Sequence, residues 1–225
     1  MKKKYWAFLI GSWCLSVGMQ AAKVDTLSVH SDAMNKEVQV ITICPDKAMA
    51  GEKCPVLYLL HGYGGNAGTW LGIKPELPQI ADKEGIIFVC PDGKNSWYWD
   101  SPLNKEYRYE TFVSKELVNY IDKNFTTKVE RGGRAITGLS MGGHGSLWLS
   151  IRHKDVFGGG GSMSGGLDIR PFPNNWEMKK QLGEEASNKQ RWDEHTVINQ
   201  LDKIKNGDLA VIIDCGCDDF FLEVN

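Results

Sequence analysis

Arg134-Ala-Ile-Thr-Gly-Leu-Ser-Met-Gly-Gly-His-Gly-Ser-Leu-Trp-Leu-Ser-Ile-Arg152 is the stretch on which the fold turns. Arg134-Ala-Ile-Thr137 has the apolar, β-branched character of a buried strand, and Gly142–Arg152 that of a helix. Gly138-Leu-Ser-Met-Gly142 therefore predicts a sharp strand–turn–helix. A serine at such a bend sits on strained backbone, and the flanking glycines lack the Cβ atoms that would collide there. The helix start directs free amide N–H groups and a positive dipole end at the same point. Ser140 is the candidate nucleophile.

Working outward, Val38–Cys44 alternates apolar and polar residues as a half-buried strand does. Val56-Leu-Tyr-Leu-Leu60, Ile86-Ile-Phe-Val89, Ala135-Ile136 and Leu209-Ala-Val-Ile-Ile213 are short continuous apolar runs, the pattern of parallel strands buried on both faces. Between them, Thr111–Phe125 sets Phe112, Leu117, Val118 and Ile121 largely along one helical stripe. Strands alternating with helices imply an α/β fold with a doubly wound, mostly parallel sheet in one domain. Pro171–Gln200 is polar, with Trp176 and Trp192, and is expected to wander over the end of the sheet, where α/β enzymes carry lids.

The chain has 225 residues, room for one ordinary α/β domain. At 42% hydrophobic and 24% charged it suits a globular protein with a core. Met1-Lys-Lys-Lys4, the mostly apolar run Tyr5 to Val17, and Ala21-Ala22 have the parts of a secretory signal peptide over 1–21, leaving 22–225 as the domain. The apolar run is shorter than the roughly 20 residues that span a bilayer, so stable membrane insertion is not expected. The formal charge of −2 becomes −5 once Lys2, Lys3 and Lys4 leave with the leader. An acidic, unpatterned chain lacks the basic surface that nucleic-acid binding needs. A secreted or periplasmic protein meets oxidising conditions, so Cys44, at the end of one strand, and Cys54, before the next, are expected to pair. Cys215-Gly-Cys217 lacks the second pair a metal site would need.

His61-Gly-Tyr-Gly-Gly65 follows the strand Pro55–Leu60. A glycine loop there can aim the Tyr63 N–H, or that of a neighbouring glycine, at an oxyanion, with the Met141 N–H as partner. A phosphate cradle is excluded, since no Lys-Ser/Thr follows and G-x-G-x-x-G is absent. In this arrangement the acid follows the serine along the chain and the histidine follows the acid. Asp218 and Asp219, beyond Leu209–Ile213, are both open as the acid. His30, His61, His144, His153 and His195 all precede them. His195 is the one substitute base in prospect, and otherwise the last strand and helix, with the base, are expected to be missing. Trp97, Tyr98 and Trp99 follow a strand end and are candidates for stacking on an acyl group or a sugar ring, with core packing as the alternative.

An ordered set of motifs carries a resemblance. These are Tyr58-Leu-Leu-His-Gly-Tyr-Gly-Gly-Asn66 with Trp70, Val89-Cys-Pro-Asp-Gly93 with Asn95-Ser-Trp-Tyr98, Tyr109-Glu-Thr-Phe112 with Glu116-Leu117, Ile136 to Gly145, and Arg152 to Gly158 with Ser164-Gly165. Together they resemble the esterase D-like branch of the α/β-hydrolases, which includes feruloyl and acetyl carbohydrate esterases, tributyrin esterases and S-formylglutathione hydrolase. The resemblance implies an α/β-hydrolase fold lacking its last strand and helix, and places the acid at Asp219. It implies a catalytic histidine on a loop beyond Asn225. The expected activity is a serine carboxylesterase needing no metal or organic cofactor, acting on small esters or acylated polysaccharide. Transfer of the acyl group to a sugar, or a non-catalytic carbohydrate-binding module on the same scaffold, are the alternatives.

Overall fold

The computed structural model describes residues 22–225, so the expected leader over 1–21 lies outside the described residues. Seven strands form one sheet: β1 (Lys23–Ser31), β2 (Lys36–Cys44), β3 (Val56–Leu60), β4 (Ile87–Pro91), β5 (Arg134–Leu139), β6 (Gly159–Met163) and β7 (Ala210–Asp214), in the order β1-β2-β4-β3-β5-β6-β7. The β1–β2 hairpin is antiparallel and meets β4 antiparallel; β4, β3, β5, β6 and β7 all run parallel. Helices cover both faces. On one, α1 (Leu77–Glu84) seals Ile43, Leu59 and Phe88 with Leu77 and Ala81. On the other lie α2, over 109–124 with a π-helical middle at Phe112–Leu117, and α3 (Met141–Arg152). These pack Phe112, Leu117, Ile121 and Leu147 against Tyr58, Leu60 and Val89.

The chain leaves β3 for β4 on one side and returns to β5 on the other. The carboxyl ends of β3 and β5 therefore flank a topological switch point, the crevice where open α/β sheets bind ligands. Leu60 and Gly138 are register partners, so the loop after β3 and the turn after β5 emerge side by side.

Four sequence expectations differ from the structure. β1 was not foreseen, because its polar outer strand carries no continuous apolar run. β6 was not foreseen either: Gly159-Gly-Gly161 has no side chain to signal a strand, yet a Cβ at Gly160 would strike Ser150 on α3 and one at Gly161 would sit 2.6 Å from Thr137 Oγ1. β7 is present but is not buried on both faces: it is the sheet edge, with Ile212 74% exposed. Cys44 and Cys54 are both free, buried thiols and not a disulfide. Cys44 closes β2 and Cys54 precedes β3, and β4 stands between those two strands. No helix among the described residues is long and apolar enough to cross a membrane.

Candidate active site

Ser140 stands between β5 and α3 at φ 56° and ψ −118°. That left-handed backbone costs an L-residue on the order of 1–3 kcal/mol, and the turn is clamped at both ends. The Ser140 N–H donates to the Met163 carbonyl at 2.8 Å, and its carbonyl accepts from the His144 N–H at 3.0 Å. Glycine is obligatory on either side: a Cβ on Gly138 would strike the Gly142 carbonyl, and one on Gly142 would strike the Leu60 carbonyl. α3 therefore begins directly behind the serine, and among the described residues the Met141 N–H donates no hydrogen bond.

The glycine loop closes on this turn. A Cβ on Gly62 would lie 3.3 Å from the Leu139 carbonyl and 3.5 Å from Ser140 Cβ, so the loop packs directly against the serine turn. Three contacts from the segment after β4 fix it. The Gly64 N–H donates to Asn95 Oδ1 at 2.8 Å, the Gly93 N–H donates to His61 Nε2 at 2.9 Å, and the Tyr98 hydroxyl donates to the His61 carbonyl at 3.1 Å. His61 Nδ1–H donates to the Gly62 carbonyl at 2.7 Å. His61 is thus a scaffold residue with both ring nitrogens engaged. The Tyr63 N–H, like that of Met141, has no acceptor among the described residues. Of the two acids, Asp218 is exposed, whereas Asp219 is half-buried and its Oδ1 accepts from the Phe221 N–H at 2.8 Å. Among the described residues the second Asp219 oxygen accepts no hydrogen bond.

Backbone strain concentrates at this end of the sheet. Of the eight non-glycine residues with positive φ among the described residues, all but Asn35 lie in the loops around the crevice: Lys94, Trp97, Tyr98, Ser140, Ser164, Trp176 and Glu177. Such residues persist only where the surroundings over-determine them.

None of the five histidines has Ser140 as a hydrogen-bond partner of its ring. His144 is fully buried; its Nδ1–H donates to the Gly166 carbonyl at 2.7 Å and its Nε2 accepts from Trp99 Nε1–H at 2.9 Å. Burial pushes it down to about 4. His195, the substitute base in prospect, instead stacks on Trp148 and donates from Nδ1–H to the Arg191 carbonyl at 2.7 Å. His30 pairs with Glu37 and His153 with Glu110. Trp97, Tyr98 and Trp99 are likewise not a stacking surface: all three are buried. Glycines draw them inward, since the Tyr98 ring occupies the places of the missing Cβ atoms at Gly93 and Gly145. Trp97 and Trp99 stack on one another with centroids 5.5 Å apart, and both abut His144.

The family described as "Putative esterase" matches residues 31–225. The chain belongs to this esterase family. The esterase is 26% identical over 225 residues to an acetyl esterase of Caldicellulosiruptor saccharolyticus, a match spanning 88% of this chain and 82% of that one. It is 34% identical to an endo-1,4-beta-xylanase/feruloyl esterase of Xylanibacter ruminicola over 51% of this chain, and 34% identical to a diacylglycerol acyltransferase/mycolyltransferase of Mycobacterium leprae over 64% of it. Those matches span only 17% and 44% of the two relatives. Among solved structures, a ferulic acid esterase superposes with a TM-score of 0.73 at 28% identity, covering 91% of this chain and 82% of that one. FphF, a fluorophosphonate-binding serine hydrolase of Staphylococcus aureus, superposes with 0.78 at 21% identity over 92% of this chain and 84% of that one. The fold is that of the α/β serine hydrolases.

Sequence reasoning assigned no role to the Asn95 side chain, which anchors the glycine loop, nor to Phe220, which stacks on Trp176 beside Asp219. The Asn95-Ser-Trp-Tyr98 run was visible, but nothing local says that its amide reaches Gly64. A groove of about 1000 Å³ lies elsewhere, at the far end of α3, lined by Glu110, Trp148, Arg152, His153 and His195. Ser140 does not line it, and along α3 it is roughly 15 Å from the serine.

Proposed function

We propose that the esterase acts through a covalent acyl-enzyme at Ser140, on short-chain acyl esters or acetyl and feruloyl esters of carbohydrate. The observation that carries this is the strained Ser140 turn, pressed against a glycine loop, with the Met141 and Tyr63 N–H groups left without acceptors. Ser140 Oγ attacks the acyl carbon, and its proton passes through a general base to the leaving alcohol. The two amides hold the oxyanion, each worth about 10²–10³ in rate. Asp219 orients the base, and water then attacks the acyl-enzyme and releases the acid.

None of the described histidine rings hydrogen-bonds Ser140, so this scheme assigns the base to none of them. A triad without its base retains only about 10³–10⁴-fold acceleration over water. The leader-like first 21 residues support a secreted or periplasmic location, where acylated polysaccharide is found. The mycolyltransferase relative favours a second reading, in which a sugar hydroxyl and not water accepts the acyl group.

Labelling with a fluorophosphonate probe, on the protein extended in frame by a segment carrying a histidine, tests the nucleophile: one adduct at Ser140, absent in Ser140→Ala, is expected. Hydrolysis of a chromogenic acetyl ester tests the base. The described residues should turn over slowly, and an in-frame extension carrying a histidine should restore at least about 10²-fold. Full turnover without extension, insensitive to His195→Gln, would show that the base has been misplaced.

A further inference from the structure

Beside the serine turn, two segments remote in sequence raise an aromatic shelf. Trp176 stacks on Phe220 with centroids 5.8 Å apart and planes 21° apart. Phe220 abuts Phe221 at 4.4 Å, and Phe172 meets Phe221 edge-on at 5.2 Å. Phe221 is buried and roots the shelf, whereas Phe220 is 66% exposed and Trp176 half-buried.

The surroundings place this shelf at the crevice. Phe220 directly follows Asp219. Phe221 lies against Gly166, where a Cβ would come within 3.2 Å of its ring, and the adjoining Gly165 packs on the first turn of α3. The Trp176 carbonyl accepts from the buried Trp97 indole N–H at 3.3 Å, which holds the segment down. Glu177 forms an ion pair with Lys180. Partial burial and then the neighbouring Glu177 carboxylate raise the Tyr63 hydroxyl above its ordinary range, which sets Glu177 beside the glycine loop. The shelf thus runs from the glycine loop to the acid, with a polar rim of Tyr63, Glu177 and Lys180.

Given the esterase reading of Ser140, we propose that Trp176 and Phe220 form a subsite that seats a hydroxyl-bearing six-membered ring of the substrate. The ring is either the arene of the acyl group or the pyranose of the alcohol. Aromatic faces attract ring C–H edges and offset rings, and stiff aromatic side chains lose little entropy on binding. The rim supplies a donor and an acceptor for ring hydroxyls.

Equilibrium binding tests this without a catalytic base. Methyl ferulate, methyl β-xyloside and ethyl acetate are titrated into full-length Ser140→Ala by calorimetry, alone and combined with Phe220→Ala, Trp176→Ala or Trp176→Phe. Either ring ligand should bind and lose about tenfold in affinity with each alanine, with Trp176→Phe staying near the parent and ethyl acetate indifferent. Binding of the ferulate alone assigns the ring to the acyl side, and of the xyloside alone to the alcohol side. Absence of ring binding, affinities unchanged by both alanine variants, or a dimer that Phe220→Ala dissociates would each overturn the subsite. Fluorophosphonate labelling of the unmutated protein, extended in frame by a segment carrying a histidine, separates the two claims. Labelling without ring binding defeats the shelf alone, and ring binding without labelling defeats the esterase reading alone.

Discussion

Acidification should weaken the fold well before most carboxylates titrate, and His144 sets where. Its imidazole lies on α3 just past the nucleophile, fully buried, with Trp97 and Trp99 edge-on at 5.2 and 5.3 Å and Trp148 stacked at 6.2 Å. Both ring nitrogens are engaged in a way only the neutral ring allows, since a proton on Nε2 would confront the Trp99 N–H. The charged and titratable groups around this wall are His195, also pushed down by burial, and, across Trp148, Glu110 and Arg152. Burial depresses His144 from 6.5 to about 4. Between those values the unfolded chain binds a proton that the folded chain refuses, so stability rises with pH in that window and falls on acidification. At about 1.4 kcal/mol per pH unit, the full loss approaches about 3 kcal/mol by pH 4, of which about 2 kcal/mol has gone by pH 5.

Urea unfolding followed by tryptophan fluorescence at pH 7, 6 and 5, on the parent and on His144→Gln, measures this loss. Glutamine keeps a donor and an acceptor but does not titrate. It should be the less stable protein at pH 7, and its deficit should shrink by about 2 kcal/mol at pH 5. Two curves that fall in parallel would refute the assignment, because other groups would then carry the acid sensitivity.

Glu110 accepts from Trp148 Nε1, Arg152 Nε and His153 Nε2 at 2.8–2.9 Å, tying α2 to α3; Glu110→Gln should cost about 3 kcal/mol in urea unfolding at pH 7. Burial alone would raise its carboxyl, but His153 and Arg152 hold it below the usual range, so its contribution persists above pH 4.5 and fades as pH falls through the depressed value. Gly142→Ala should destabilise by about 3 kcal/mol or more and abolish fluorophosphonate labelling, because its Cβ meets backbone at Leu60 and His61. Gly132→Ala, which meets open space, should change stability by less than about 0.5 kcal/mol. Ile212→Thr on the exposed face of β7 should leave unfolding within about 0.5 kcal/mol of the parent while slowing aggregation by light scattering at 37 °C.

What could be read from the sequence was what is decided locally. Gly138 to Gly142 is legible because the G-x-S-x-G pattern between an apolar run and a helical one marks a strand–turn–helix, although the strand neighbours at Leu60 and Met163 are what hold the turn in place. β3, β4 and β5 announce themselves because strands buried on both faces need continuous apolar runs. β6 could not be recognised, since its requirement is imposed by its neighbours: Ser150 on α3 and Thr137 on β5 occupy the space of side chains at 160 and 161. The same non-local logic misdirected the aromatic residues. Trp97, Tyr98 and Trp99 look like a binding surface beside a strand end, yet slots at Gly93 and Gly145 pull Tyr98 inward and its neighbours with it. The flat surface facing the crevice comes instead from Trp176 and Phe220, which only the packed chain brings together. Glycine thus acts twice in this molecule. At Gly138 and Gly142 it admits the close backbone contacts of the serine turn, and at Gly93 and Gly145 it takes in the Tyr98 ring, whose hydroxyl holds the His61 carbonyl at the start of the glycine loop.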